Sequence, residues 1–67
     1  MTSIGRRIRK ERRAREWSQR FLGHLIGVTG SCIYNYEMGF YRPRKDRVKA
    51  LEALLEINLK EDGKQDE

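Results

Sequence analysis

Residues 18–39 read SQRFLGHLIGVTGSCIYNYEMG, from Ser18 to Gly39. This stretch predicts two helices and a tight turn. Ser18 is a good N-cap, because its short hydroxyl accepts from an amide that the first turn leaves without an acceptor. Phe21, Leu22, Leu25 and Ile26 recur at the i, i+1, i+4, i+5 spacing of a buried stripe, which predicts a helix from Gln19 to about Ile26. Gly27 stops that helix, since glycine enters the left-handed region at little cost. Val28 is apolar again, and Thr29 is a second N-cap for a helix from Gly30 to about Met38, stopped by Gly39. The link Ile26-Gly27-Val28 is so short that the two helices must pack at a steep angle, as in a helix-turn-helix.

Upstream, Ser3 reads as the cap of a charge-rich helix running to about Glu16. Ile4 and Ile8 share one face of it, but Glu11 and Arg12 continue that line, so the apolar stripe is short. A membrane-surface helix needs a wide apolar face opposite its cations, which this segment lacks. Downstream, Phe40-Tyr41-Arg42-Pro43 reads as a loop, because proline keeps Arg42 out of the helical region. A fourth helix is predicted from about Arg44 or Asp46 to Glu56, with Val48, Leu51, Leu54 and Leu55 on its apolar face. The expectation is an all-α, compact bundle of four to five short helices over residues 1–57, followed by a polar, acidic and frayed tail over 58–67.

Sixty-seven residues make one small domain. No apolar run approaches the ~20 residues of a membrane span, and the N-terminus carries no apolar signal segment, which fits a cytoplasmic protein. The single cysteine, Cys32, excludes an intramolecular disulfide, and with His24 it falls short of a four-ligand metal site. Cys32 reads as a small half-buried residue, His24 as a surface residue and Trp17 as core. No metal, cofactor or small-molecule ligand is implied. No nucleophile–base set, carboxylate pair or phosphate-cradling loop suggests an enzyme.

The net charge of +5 is unevenly spread. Residues 1–20 carry eight basic and two acidic side chains, and residues 41–49 carry five basic and one acidic. Between them, residues 21–40 carry only Glu37. Two basic blocks around an almost uncharged middle suit a polyanion gripped on either side of a neutral reading element.

Counting about 100° per residue from Gly30, Ile33, Tyr36 and Glu37 fall between roughly 240° and 340°, while Ser31, Tyr34, Asn35 and Met38 fall between roughly 40° and 140°. Ile33 and Tyr36 therefore face inward. Ser31, Tyr34 and Asn35 share an outward face of uncharged donors and acceptors, either an ordinary solvated surface or the kind of surface a DNA major groove accepts.

The ordered set Ser18-Gln19-x-x-Leu22, the small Gly23, the turn Ile26-Gly27-Val28, then Ile33, Tyr36, Glu37, Gly39, Pro43, Val48, Leu51 and Leu55 resembles the Cro/phage-repressor (XRE) helix-turn-helix family. The match runs from Ile4 to Ile57, and Arg42-Pro43-Arg44 looks like a tract of lambdoid phage repressors. The resemblance implies a double-stranded-DNA-binding repressor from a phage or prophage, working on the nucleoid. It implies a third helix laid in the major groove, a geometry documented for this family. Gly23 would stand where the third helix crosses closely. The candidate base-contacting residues are Gln19, Thr29, Gly30, Ser31, Tyr34 and Asn35. Gln19 also sits at a helix N-terminus, where a phosphate is favoured. The candidate phosphate-contacting residues are Arg12, Ser18, Arg20, Met38, Arg42 and Arg44. Arg12 and Glu37 would also form an ion pair tying the first helix to the third. Glu11 and Lys45 depart from the family's usual apolar residues, Glu52 from a small one and Tyr36 from a branched aliphatic.

The implied partner is a near-palindromic operator bound by a weak homodimer, with Phe40, Tyr41, Ile57 and Leu59 as candidate contacts. An antitoxin-type protein acting through a protein partner is the alternative. Single-stranded RNA is disfavoured, because no exposed aromatic sheet is expected.

Overall fold

A computed structural model describes residues 2–59. Among them the chain forms α1 (Ser3–Ala14), α2 (Gln19–Ile26), α3 (Gly30–Met38) and α4 (Lys45–Leu55). No described residue is in a strand, and no helix of the described residues is long and apolar enough to cross a membrane. The fold is all-α, as expected.

The two central helices have the predicted limits. Ser18 Oγ accepts from Phe21 N at 2.9 Å and Thr29 Oγ1 from Cys32 N at 3.1 Å. Gly27 and Gly39 close α2 and α3 with φ of 82° and 84°. The first helix differs from expectation at both ends. Thr2, not Ser3, is its cap, with Oγ1 accepting from Gly5 N at 2.9 Å. The helix stops at Ala14 rather than near Glu16, because Glu16 turns left-handed (φ 59°) and Trp17 N reaches back to Arg12 O.

The core is Ile4, Ile8, Leu22, Ile33, Tyr36, Leu51, Leu55 and Leu59. Trp17, Ile26, Val28, Cys32, Val48, Leu54 and Ile57 pack against it. The stripe expected on α2 is only half buried. Leu22 and Ile26 point inward, but Phe21 and Leu25 are exposed. Neighbouring residues of a helix differ by about 100°, so an eight-residue helix that turns Leu22 into a small core must turn Phe21 aside. Phe21 packs edge-on against Trp17 instead, with ring centroids 5.5 Å apart.

Leu59 overturns the boundary drawn at residue 57. Its side chain is buried and its amide donates to Glu52 Oε2 at 2.8 Å. Burying a leucine contributes about 1.5–3 kcal/mol, which a core this small needs. Glu52 therefore departs from the family pattern for a reason: its carboxylate ties down the chain after α4. The rest of the expected acidic tail, residues 60–67, lies outside the described residues. Tyr36 also fits its site. It is buried, and burial first, then a hydrogen bond with Cys32, pushes its phenol up to about 12, so it remains neutral.

Two glycines set how closely the elements approach. A Cβ at Gly23 would stand 2.6 Å from Val28 O, which explains the expected small residue. A Cβ on Gly5 would overlap the carbonyl oxygen of Glu37, so α1 crosses the end of α3 backbone to backbone. That second constraint was not predicted.

Candidate nucleic-acid interface

The outward face of α3 is built as the spacing predicts. Ile33, Tyr36 and Glu37 are buried, Ser31 and Tyr34 are exposed, and Asn35 and Met38 are half-buried. The face carries no charged side chain, because the one charged residue of α3, Glu37, is turned inward and is only 1% exposed.

A buried carboxylate needs compensation. Arg12 Nε donates to Glu37 Oε2 at 2.6 Å and Arg12 Nη2 to Oε1 at 3.2 Å. This is the bidentate fork that makes arginine–carboxylate pairs directional. Arg12 Nη1 also donates to Trp17 O at 2.7 Å, and Gln19 Nε2 donates to Glu37 Oε1 at 3.2 Å. One carboxylate thus joins α1, the α1–α2 link, α2 and α3. The ion pair expected between Arg12 and Glu37 is present. Arg12 was also expected at a phosphate; in the structure its fork is engaged with Glu37 and its side chain is 11% exposed. Gln19 likewise turns its amide nitrogen toward Glu37 rather than outward.

The remaining candidates sit around this joint. Ser18 and Thr29 are exposed, and their hydroxyls cap α2 and α3. The first amides of α2, Gln19 N and Arg20 N, have no intrahelical acceptor and lie at the positive end of the helix dipole. Arg20, Thr29, Gly30 and Ser31 line one groove where α2 meets α3, together with His24 and Val28. Gly30 packs against the Arg20 backbone, so its lack of a side chain serves the contact between the two helices.

On the other flank, a groove of about 570 Å³ runs between α3 and α4. It gathers Arg42, Arg44 and Arg47 beside Cys32 and Tyr36. Arg47 was missed. The density of basic residues over 41–49 was its only signal, and the register of α4 decides which of them face α3. Pro43 is buried and holds the loop between Arg42 and Arg44, both exposed. Of the proposed dimer contacts, Phe40 and Tyr41 are exposed. Leu59 is core and Ile57 is half-buried against it, so neither offers a free apolar surface.

A family described as helix-turn-helix matches this chain over residues 8–61. An uncharacterized HTH-type transcriptional regulator of Sinorhizobium fredii is 40% identical over 55 residues, which is 82% of this chain. The chain spans 38% of that relative's length. The crystal structure of the P22 c2 repressor with a synthetic operator is similar at a TM-score of 0.80 and 27% identity, covering 88% of this chain and 89% of the other.

Proposed function

This chain belongs to the helix-turn-helix family, and from that premise we propose that it is a sequence-specific DNA-binding transcriptional regulator of the repressor type. One observation supports this most directly. The outward face of α3 is uncharged and polar, it is fixed from behind by the buried Arg12–Glu37–Gln19 joint, and it lies between a flank that carries Arg20 and one that carries Arg42, Arg44 and Arg47. The flanks supply affinity for any duplex, and the face between them supplies readout. The likeness to the P22 c2 repressor, whose structure contains operator DNA, supports double-stranded DNA as the partner.

In this reading Ser31, Asn35 and Tyr34 reach base edges from α3, with Thr29 at its start. Asn35 pairs with an adenine, and the methyl of Thr29 meets a thymine. Ser18, Arg20 and the first amides of α2 hold one phosphate. Arg42, Arg44 and Arg47 hold the backbone on the other flank, beside Met38. The protein acts in the cytoplasm on nucleoid DNA. A module this small buries too little surface for tight specific binding alone, so two copies bind a near-palindromic site and touch through Phe40 and Tyr41.

A random-sequence selection at physiological salt tests the function. The expected product is a palindrome with half-sites about 34 Å apart. Failure to enrich any sequence would favour a protein-interaction module instead. Arg42→Ala and Arg44→Ala should each flatten the salt dependence by about one unit of slope without changing base preference.

A further inference from the structure

Five large apolar side chains are exposed among the described residues, and three of them lie together in sequence: Tyr34 in the middle of α3, and Phe40 and Tyr41 just beyond its end. Tyr34 and Phe40 meet each other. Their ring centroids are 6.2 Å apart at an interplanar angle of 68°, an edge-to-face contact. This contact is not part of the core, since Tyr34 is 45% and Phe40 64% exposed. Nor is Phe40 placed by a loose loop. Its amide donates to Asn35 O at 2.9 Å, and Tyr41 N donates to the same oxygen at 3.2 Å. The turn after α3 is thus folded back onto the helix and fixes the Phe40 ring against Tyr34.

The pair adjoins the face that carries Ser31 and Asn35. A lone exposed tyrosine on a helix samples several rotamers, and ordering one costs entropy when it binds. An edge-to-face partner selects one rotamer before binding. We propose that Phe40 is a positioning residue for base recognition. It holds the Tyr34 ring as an apolar wall at one edge of the reading face, and that wall selects a thymine by its 5-methyl group. The chemistry follows from the groove: thymine is the one base that presents a methyl group there, and an apolar ring edge is its natural complement. Serine and asparagine supply polar contacts on the same face, so the aromatic pair adds a different kind of discrimination. This inference rests on the DNA-reading function and gives Phe40 a role that a contact between two copies would not.

The test compares the selected sequences of the wild type, Tyr34→Ala and Phe40→Ala, and follows with deoxyuridine in place of thymine. Both variants should relax preference for thymine at the same single position of each half-site. Replacing that thymine by deoxyuridine should weaken the wild type about fourfold per methyl removed. The same replacement should leave Phe40→Ala almost unaffected, while Phe40→Tyr, which keeps the ring, should retain the wild-type response. The salt slope should be unchanged in all variants, and the melting temperature of Tyr34→Ala and Phe40→Ala should fall by only a few degrees, as loss of one exposed ring pair allows. The proposal is overturned if Phe40→Ala keeps the full response to methyl removal. It is also overturned if Phe40→Ala lowers the ratio of full-site to half-site affinity but leaves the thymine preference intact, because Phe40 would then serve the contact between copies alone. A wild type that selects no sequence would instead remove the DNA-reading function, and this inference with it.

Discussion

The central pair of helices and α4 are closed at their ends in different ways. The ends of α2 and α3 are closed locally, by Ser18 or Thr29 at one end and Gly27 or Gly39 at the other. The outer helix α4 has neither device. Arg44 makes no side-chain cap bond, and Glu56 occupies the left-handed region where the central helices have glycine. Long-range contacts hold the outer helices: Arg12 and Gly5 of α1 against Glu37 of α3, and Leu59 folded back onto Glu52 of α4. The reading element can therefore form from neighbouring residues, and the outer helices fix its orientation. If that division is right, mutations in the joint should cost most and changes at helix ends least.

Glu37→Ala should have the largest effect. It leaves the Arg12 guanidinium buried without its carboxylate, and breaking a buried pair this way costs about 3–5 kcal/mol. Denaturant unfolding of Glu37→Ala, Arg12→Ala and the double variant would measure it. The double variant should lose far less than the sum of the single losses. Coupling near zero would mean that the pair is not what mounts α3 on α1.

The same division explains what was legible in the sequence. Caps, stops and the inward or outward side of α3 are local matters, and Ser18, Gly27, Thr29, Ile33 and Gly39 announce them. Phe21 and Leu25 were misjudged because a stripe gives the period of a helix but not how many of its positions a small core can take. Leu59 looked like tail because its polar neighbours hide a contact that only the folded chain makes. The fork between Arg12 and Glu37 came from family likeness. Their sequence separation alone carries no signal that they meet. Arg47 and the Tyr34–Phe40 contact depend on the register of α4 and the path of one turn, which no local pattern fixes.

Gly5→Ala should come next. Its new methyl group overlaps the Glu37 carbonyl oxygen, so α1 must shift outward from α3. Overpacking of this kind costs about 1–3 kcal/mol. Because the shift also strains the Arg12–Glu37 fork, the losses from Gly5→Ala and Arg12→Ala should not add. Full additivity in a double variant would show that the crossing and the ion pair are independent supports.

Removing a local cap should cost less. Thr29→Ala deletes the acceptor for Cys32 N and should lose about 1 kcal/mol, and Thr29→Ser should restore it. Hydrogen exchange at the first amides of α3 should rise more than exchange in α1. A loss as large as that of Glu37→Ala would mean that α3 does not close itself locally.

The one expected gain lies at the end of α4. Glu56 holds φ at 56°, a region that costs a residue with a Cβ about 1–2 kcal/mol. It also puts a negative charge at the negative end of the helix dipole, worth about 0.3–1 kcal/mol at low salt. Glu56→Gly removes both penalties but loosens the unfolded chain, which takes back about 0.4–1 kcal/mol. The net gain should lie between about 0.3 and about 2.6 kcal/mol, read as a higher urea midpoint at an unchanged slope. Glu56→Lys separates the two causes: it keeps the backbone strain and reverses the charge, so its gain should fade as salt rises, whereas the part of the glycine gain due to backbone should persist. A salt-independent gain in the lysine variant would point away from the dipole. A loss in the glycine variant would mean that the Glu56 side chain contributes more to the end of α4 than its backbone costs. Since the residue lies away from the reading face, base preference should be the same in all three proteins.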